Sequence, residues 1–139
     1  MQHDLKNVDH IGIAVYDLQE VIETLRKGFG IEPAFTEEVS GQQVRIAGYP
    51  LGGSKVEYFE PLSQDSPLIK FLEKRGNSIH HIAFRVENLK ATLADLKQKG
   101  FKLIDEEPRR GANNSLIAFI HPSAFNGILI ELCEFREEG

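Results

Sequence analysis

The run Asp9-His10-Ile11-Gly12-Ile13-Ala14-Val15-Tyr16-Asp17-Leu18 lies without a gap against His80-His81-Ile82-Ala83-Phe84-Arg85-Val86-Glu87-Asn88-Leu89, so that His10 matches His81. Both runs alternate like strands and lead into a helical pattern. In the first half that pattern is Leu18, Val21, Ile22 and Leu25; in the second it is Leu89, Leu93 and Leu96. Asp17 and Asn88 stand where a side chain would cap the first turn. Gly28 or Gly30 and Gly100 stand where a left-handed residue would end the last turn. Each half closes on a strand that sets one carboxylate in an apolar context: Val56-Glu57-Tyr58-Phe59 and Leu129-Ile130-Glu131-Leu132.

Between these landmarks the sequence reads as β structure over Val39–Gly48, before the turn Gly52-Gly53, then over Leu103–Glu106, and over Ser115–His121 before the turn Asn126-Gly127. The expectation is an α+β domain, residues 1–139, made of two tandem βαβββ modules. Module 5–62 and module 76–135 are joined by a helical connector over 63–75. In that connector Ser66 is the expected N-cap and Pro67 the first helical residue, and Gly76 is the stop. The terminal residues 136–139 are expected to fray and His3 to be disordered.

The chain has 139 residues, 41% of them hydrophobic, enough for a core without staples. Cys133 is its one cysteine, which excludes an internal disulfide and any cysteine-based zinc site. The formal charge of −5 has the wrong sign for a generic nucleic-acid or anionic-membrane binder. The polar N-terminus and the lack of a long apolar run read as a soluble, cytoplasmic protein.

His10, Glu57, His81 and Glu131 form the candidate metal set, because a duplicated module that gives one imidazole and one carboxylate per copy brings four donors from different strands. His10 has Ile11, Ile13 and Val15 on the opposite strand face, and His81 has Ile82, Phe84 and Val86. Glu131 interrupts Gly127-Ile128-Leu129-Ile130-Glu131-Leu132-Cys133, apolar on both faces, where an ionised carboxylate costs several kcal/mol unless it is paired, hydrogen-bonded or metal-bound. Two imidazoles and two carboxylates suit one divalent ion such as Co, Zn, Mn, Ni or Fe. His80 must point away from His81, toward a supporting or substrate-facing role. His121, before Pro122, reads as a turn or strand-end residue, and Cys133 as a small buried hydrophobe. Arg109-Arg110 reads either as a solvated loop or as an anion contact.

These residues match a family. The paired modules resemble the vicinal oxygen chelate superfamily and, within it, the methylmalonyl-CoA epimerases. The resemblance rests on Val8 to Val15, on Glu60-Pro61-Leu62 with Asp65-Ser66-Pro67 and Lys70-Phe71-Leu72, and on Ile79 to Ala83. It continues through Asp105-Glu106-Glu107-Pro108-Arg109, Phe119-Ile120-His121-Pro122 and Gly127 to Leu132. It implies a curved mixed sheet around a metal-binding cleft, the four named residues as ligands, a homodimer and an acyl-CoA substrate. The reaction so implied removes the C2 proton of (2R)- or (2S)-methylmalonyl-CoA and returns it on the other face through a metal-stabilised enolate, with Glu131 as one proton carrier. The family's pattern is not kept everywhere. Some epimerases carry a Glu in the strand corresponding to Val44-Arg45-Ile46-Ala47-Gly48, which has no carboxylate here, so the second carrier is unassigned. Glu57 stands where Gln or Glu occurs, and Gly111-Ala112-Asn113-Asn114 departs from the usual glycine loop.

Three other readings use the same fold. One is a glyoxalase I-like lyase acting on a glutathione hemithioacetal. Another is an iron dioxygenase, which would need only three protein ligands. The last is a non-catalytic, resistance-type ligand-binding protein, which would have lost its donors; here all four positions are kept.

Overall fold

A computed structural model describes residues 4–135. His3 and residues 136–139 lie outside the described residues. The chain falls into two compact units: Ile11–His80, and the residues up to His10 taken with those from His81 onward. The division follows contacts and not the sequence repeat. It cuts the two histidine-bearing strands immediately after His10 and immediately before His81, so that both histidines belong to the second unit. In chain order the elements are nevertheless βαβββ twice, with one helix between.

In the unit Ile11–His80, the end of β1 (Leu5–Ala14) leads to α1 (Leu18–Phe29), β2 (Phe35–Val39), β3 (Val44–Leu51), β4 (Ser54–Pro61) and α2 (Leu68–Arg75). The strand order is β2-β3-β4-β1, and β2, β3 and β4 pair antiparallel. Helix α1 starts as expected, because the Asp17 carboxylate accepts from the Glu20 amide at 3.2 Å. It ends at Gly30 in the left-handed region, φ 68°. Its apolar stripe packs Leu18 and Ile22 against Ala47, Tyr49 and Tyr58. Alternation then fixes the other face: Gly48 pairs with Glu57 and Ile46 with Phe59 on the side of the strands away from α1.

The other unit holds β5 (Ser78–Val86) from His81 on, α3 (Leu89–Gln98), β6 (Arg109–Arg110), β7 (Ser115–Ile120) and β8 (Ile130–Phe135) in the order β5-β8-β7-β6. β5 and β8 are parallel; the other pairs are antiparallel. Asn88 caps α3 by accepting from the Ala91 amide at 3.0 Å, and Gly100 follows it at φ 88°. Leu89 and Leu93 pack with Val86, Ala118, Ile120 and Leu132 on one sheet face, each fully buried leucine contributing about 1.5–3 kcal/mol. Ala83, Ile117, Phe119 and Cys133 pack on the opposite face.

Several expected elements shift. Val39–Gly48 is not one strand: residues 40–43 turn, with Gln43 at φ 58°, and separate β2 from β3. Leu103–Glu106 forms no strand beyond a single bridge from Leu103 to Ile120. There the Asp105 carboxylate accepts from the Phe119 amide at 2.8 Å, while Ile104 and Asp105 both donate to the Phe119 carbonyl, so side chain replaces ladder. The extra strand of this half is instead Arg109–Arg110, and β7 stops at Ile120, one residue before His121. Helix α2 begins at Leu68, with Pro67 in the cap position; Ser66 Oγ accepts from the Leu68 amide at 3.3 Å, and the helix ends at Gly76.

Candidate metal centre

Glu131 pairs in register with Ala83 on β5 and with Phe119 on β7, so its side chain shares their face, opposite the one packed on α3. His81, two residues before Ala83 on the same strand, points to that face as well. His10 completes the group. His10 Nε2 lies 3.2 Å from His81 Nε2 and 3.5 Å from Glu131 Oε2, and His81 Nε2 lies 3.1 Å from Glu131 Oε1. All three residues are buried, Glu131 to 4% exposure. The Phe119 ring stands edge-on to His81, centroids 5.4 Å apart, and walls the group with carbon.

Asp9 adds a fourth buried polar side chain. Its Oδ2 is 2.7 Å from His10 Nδ1, which favours the tautomer with the proton on Nδ1 and the Nε2 lone pair directed at His81 and Glu131. Burial alone would push the Glu131 carboxyl up, but the two imidazoles that face it, His81 foremost, outweigh it and hold the group well below the usual carboxylate range. It is an anion at neutral pH.

The donor set fits a metal ion. One ligand atom from each of His10, His81 and Glu131 lies within 4.8 Å of the others. Their separations of 3.1–3.5 Å are close to the edge of a coordination polyhedron with metal–ligand bonds of about 2.0–2.2 Å. Two imidazoles and a carboxylate, dry and convergent, form a common ligand set for a catalytic divalent ion.

Glu57 belongs to the other unit. It is buried on β4, opposite Gly48, and its Oε2 is 3.8 Å from Lys55 Nζ. His80 is turned away from His81, and its ring meets Phe59 and Phe71 edge-on at 5.2 and 4.6 Å. His121 caps the 3-10 turn Pro122–Phe125 by accepting from the Ser123 amide. Arg109 and Arg110 are exposed; Arg109 pairs with Asp105 at 3.4 Å and lies over the Phe119 ring. Cys133 is buried, its Sγ 3.6 Å from the Phe84 carbonyl.

Two further carboxylates were not singled out from sequence. Glu60, three residues after Glu57, accepts from the Leu18 amide at 2.6 Å; Glu134, three residues after Glu131, accepts from the Leu89 amide at 2.8 Å. Each ties the strand bearing a candidate ligand to the first turn of the helix that follows the histidine strand. The duplication held the signal: Leu18 and Leu89 stand eight residues after His10 and His81. Asp9 stands directly before His10, but adjacency on a strand gives no sign that its side chain meets the imidazole.

A family model for the Glyoxalase/Bleomycin resistance protein/Dioxygenase superfamily matches residues 9–119. The chain belongs to this superfamily. An uncharacterized Bacillus subtilis protein, YqjC, is 42% identical over 130 residues, 94% of this chain and 93% of that protein. The ethylmalonyl-CoA/methylmalonyl-CoA epimerase of Cereibacter sphaeroides is 35% identical over 127 residues, 90% of this chain and 95% of that one. Among solved structures, a variant of the Streptomyces coelicolor methylmalonyl-CoA epimerase in complex with 2-nitronate-propionyl-CoA matches with a TM-score of 0.88 and 39% identity, covering 94% of this chain and 95% of that one. The α+β class and the vicinal oxygen chelate fold of the superfamily are thus those of this chain.

Proposed function

We propose that the chain is a metal-dependent epimerase that interconverts (2R)- and (2S)-methylmalonyl-CoA. The observation that carries this reading is the buried convergence of His10, His81 and Glu131 in a chain whose relatives include named epimerases. The superfamily resemblance adds Glu57 as the fourth ligand, and the ion is Co, Zn, Mn or Ni. A homodimer in the cytoplasm, with an acyl-CoA as its small-molecule partner, completes the reading. No helix among the described residues is long and apolar enough to cross a membrane.

A divalent ion in this donor set supplies a Lewis acid for the thioester oxygen, where negative charge develops as C2 loses its proton. The chain's own residues do the rest. Asp9 orients His10 through Nδ1. Phe119 and the apolar layer of Ala83, Ile117 and Cys133 keep water from the group, which strengthens each charge–charge interaction there. Glu131 is held anionic, and a carboxylate is a competent carrier for one of the two proton transfers.

The test is epimerisation of (2S)-methylmalonyl-CoA, read by an enzyme that consumes only the (2R) thioester, with metal-stripped and cobalt-restored protein. Turnover that appears with cobalt and disappears with chelation supports the reading. A metal-loaded protein that leaves the (2S) thioester untouched but acts on a glutathione hemithioacetal replaces it with the lyase.

A further inference from the structure

The sheet face that carries His81 and Glu131 runs on, within the same unit, to Arg85 and Phe135. Arg85 stands two residues after Ala83 on β5 and pairs with Cys133, so its side chain leaves the sheet on that face. It is half-buried, and its guanidinium carbon lies over the Phe135 ring, 4.9 Å from the centroid. Arg109, the other ring-stacked arginine of this unit, is paired with Asp105. No carboxylate pairs with Arg85 among the described residues. A guanidinium has five N–H donors, and one partly withdrawn from water against a ring is set for an oxygen anion, phosphate above all. We infer that Arg85 anchors the phosphate groups of the coenzyme A moiety.

This inference rests on the epimerase reading, in which the thioester lies at the metal donors. Distance decides which end of the substrate Arg85 can meet. Four residues of one strand separate it from His81, about 13 Å at about 3.3 Å per residue. β8 runs parallel to β5 and Phe135 lies four residues beyond Glu131, so a guanidinium over that ring leans still further from the donors. The carboxylate of a malonyl-type acyl group adjoins C2 and stays with the metal. The phosphates stand at the other end of the long pantetheine arm. There a fixed cation adds affinity, and it steers a polyanion toward a chain whose net charge of −5 repels it. Arg85 then serves binding and not the chemical step.

The test is binding of propionyl-CoA and of S-propionylpantetheine, which lacks every phosphate, to cobalt-loaded protein by calorimetry, with cobalt content measured on each sample. The wild type prefers propionyl-CoA, less so as salt rises. Arg85→Met lowers that preference about tenfold or more, the worth of a charged hydrogen bond, with cobalt content and affinity for the pantetheine thioester retained. Arg85→Lys keeps most of the preference, as a cation without the planar fork. In turnover of methylmalonyl-CoA, Arg85→Met raises KM and spares kcat. A preference undiminished in Arg85→Met, or an equal loss of affinity for both thioesters, overturns the role of Arg85, even where the wild type epimerises. A wild type that neither epimerises nor prefers the coenzyme A thioester overturns the epimerase reading itself.

Discussion

At the scale of the residue, the chemistry turns on donors forced together in a dry place. His81→Ala removes one of three converging donor side chains and leaves a small hole beside Phe119. The expected outcome is loss of cobalt retention after dialysis with near-normal far-ultraviolet circular dichroism; undiminished cobalt affinity would remove His81 from the ligand set. Asp9→Asn acts more gently. It keeps the shape beside His10 Nδ1 but loses the charge that fixes the ring, so cobalt affinity should fall by about 10- to 100-fold in a competition assay. An affinity equal to wild type would make Asp9 a packing residue only. The convergence of His10, His81 and Glu131 was legible from sequence because His10 and His81 share one register and Glu131 breaks an apolar run. The Asp9 contact was not, since neighbours on a strand point to opposite faces on average, whereas here the Asp9 carboxylate meets the adjacent ring.

At the scale of the element, each half fastens strand to helix in the same way. Glu60 and Glu134 accept from the first helical amides of α1 and α3, beside the Asp17 and Asn88 caps. Glu134→Ala leaves the partly buried Leu89 amide without this acceptor and should destabilise the fold by about 1–3 kcal/mol in urea unfolding, with Glu134→Gln recovering most of the loss. A change below a few tenths of a kcal/mol would show that Asn88 alone suffices. Helix starts and stops were legible because Asp17, Asn88, Gly30 and Gly76 act locally. The small strands were not. Ser40 to Gln43 turn inside an apparently continuous β run, and Asp105 ends the ladder at Leu103 with its own side chain, a choice set by what Phe119 offers across the sheet.

At the scale of the whole molecule, the duplicated element order gives each half the same plan, a helix on one sheet face and a carboxylate on the other. The repeat in sequence disclosed that plan, but not the contact grouping, which joins His10 to the second half because strand pairing ignores chain order. A bound ion should hold the native state selectively: at 100 times its dissociation constant, cobalt adds about 2.7 kcal/mol of stability, visible as a higher melting temperature that chelator reverses. An unchanged melting temperature in saturating cobalt would mean that no specific site exists. The most direct test of the central claim is deuterium uptake at C2 of methylmalonyl-CoA in heavy water, corrected for uncatalysed exchange. Wild-type and Glu131→Gln proteins would each be assayed stripped and cobalt-loaded. The account predicts exchange only in cobalt-loaded protein, with Glu131→Gln slower than wild type by about 10²–10⁴-fold; wild-type exchange that persists in the stripped protein, or is absent with cobalt bound, would contradict it.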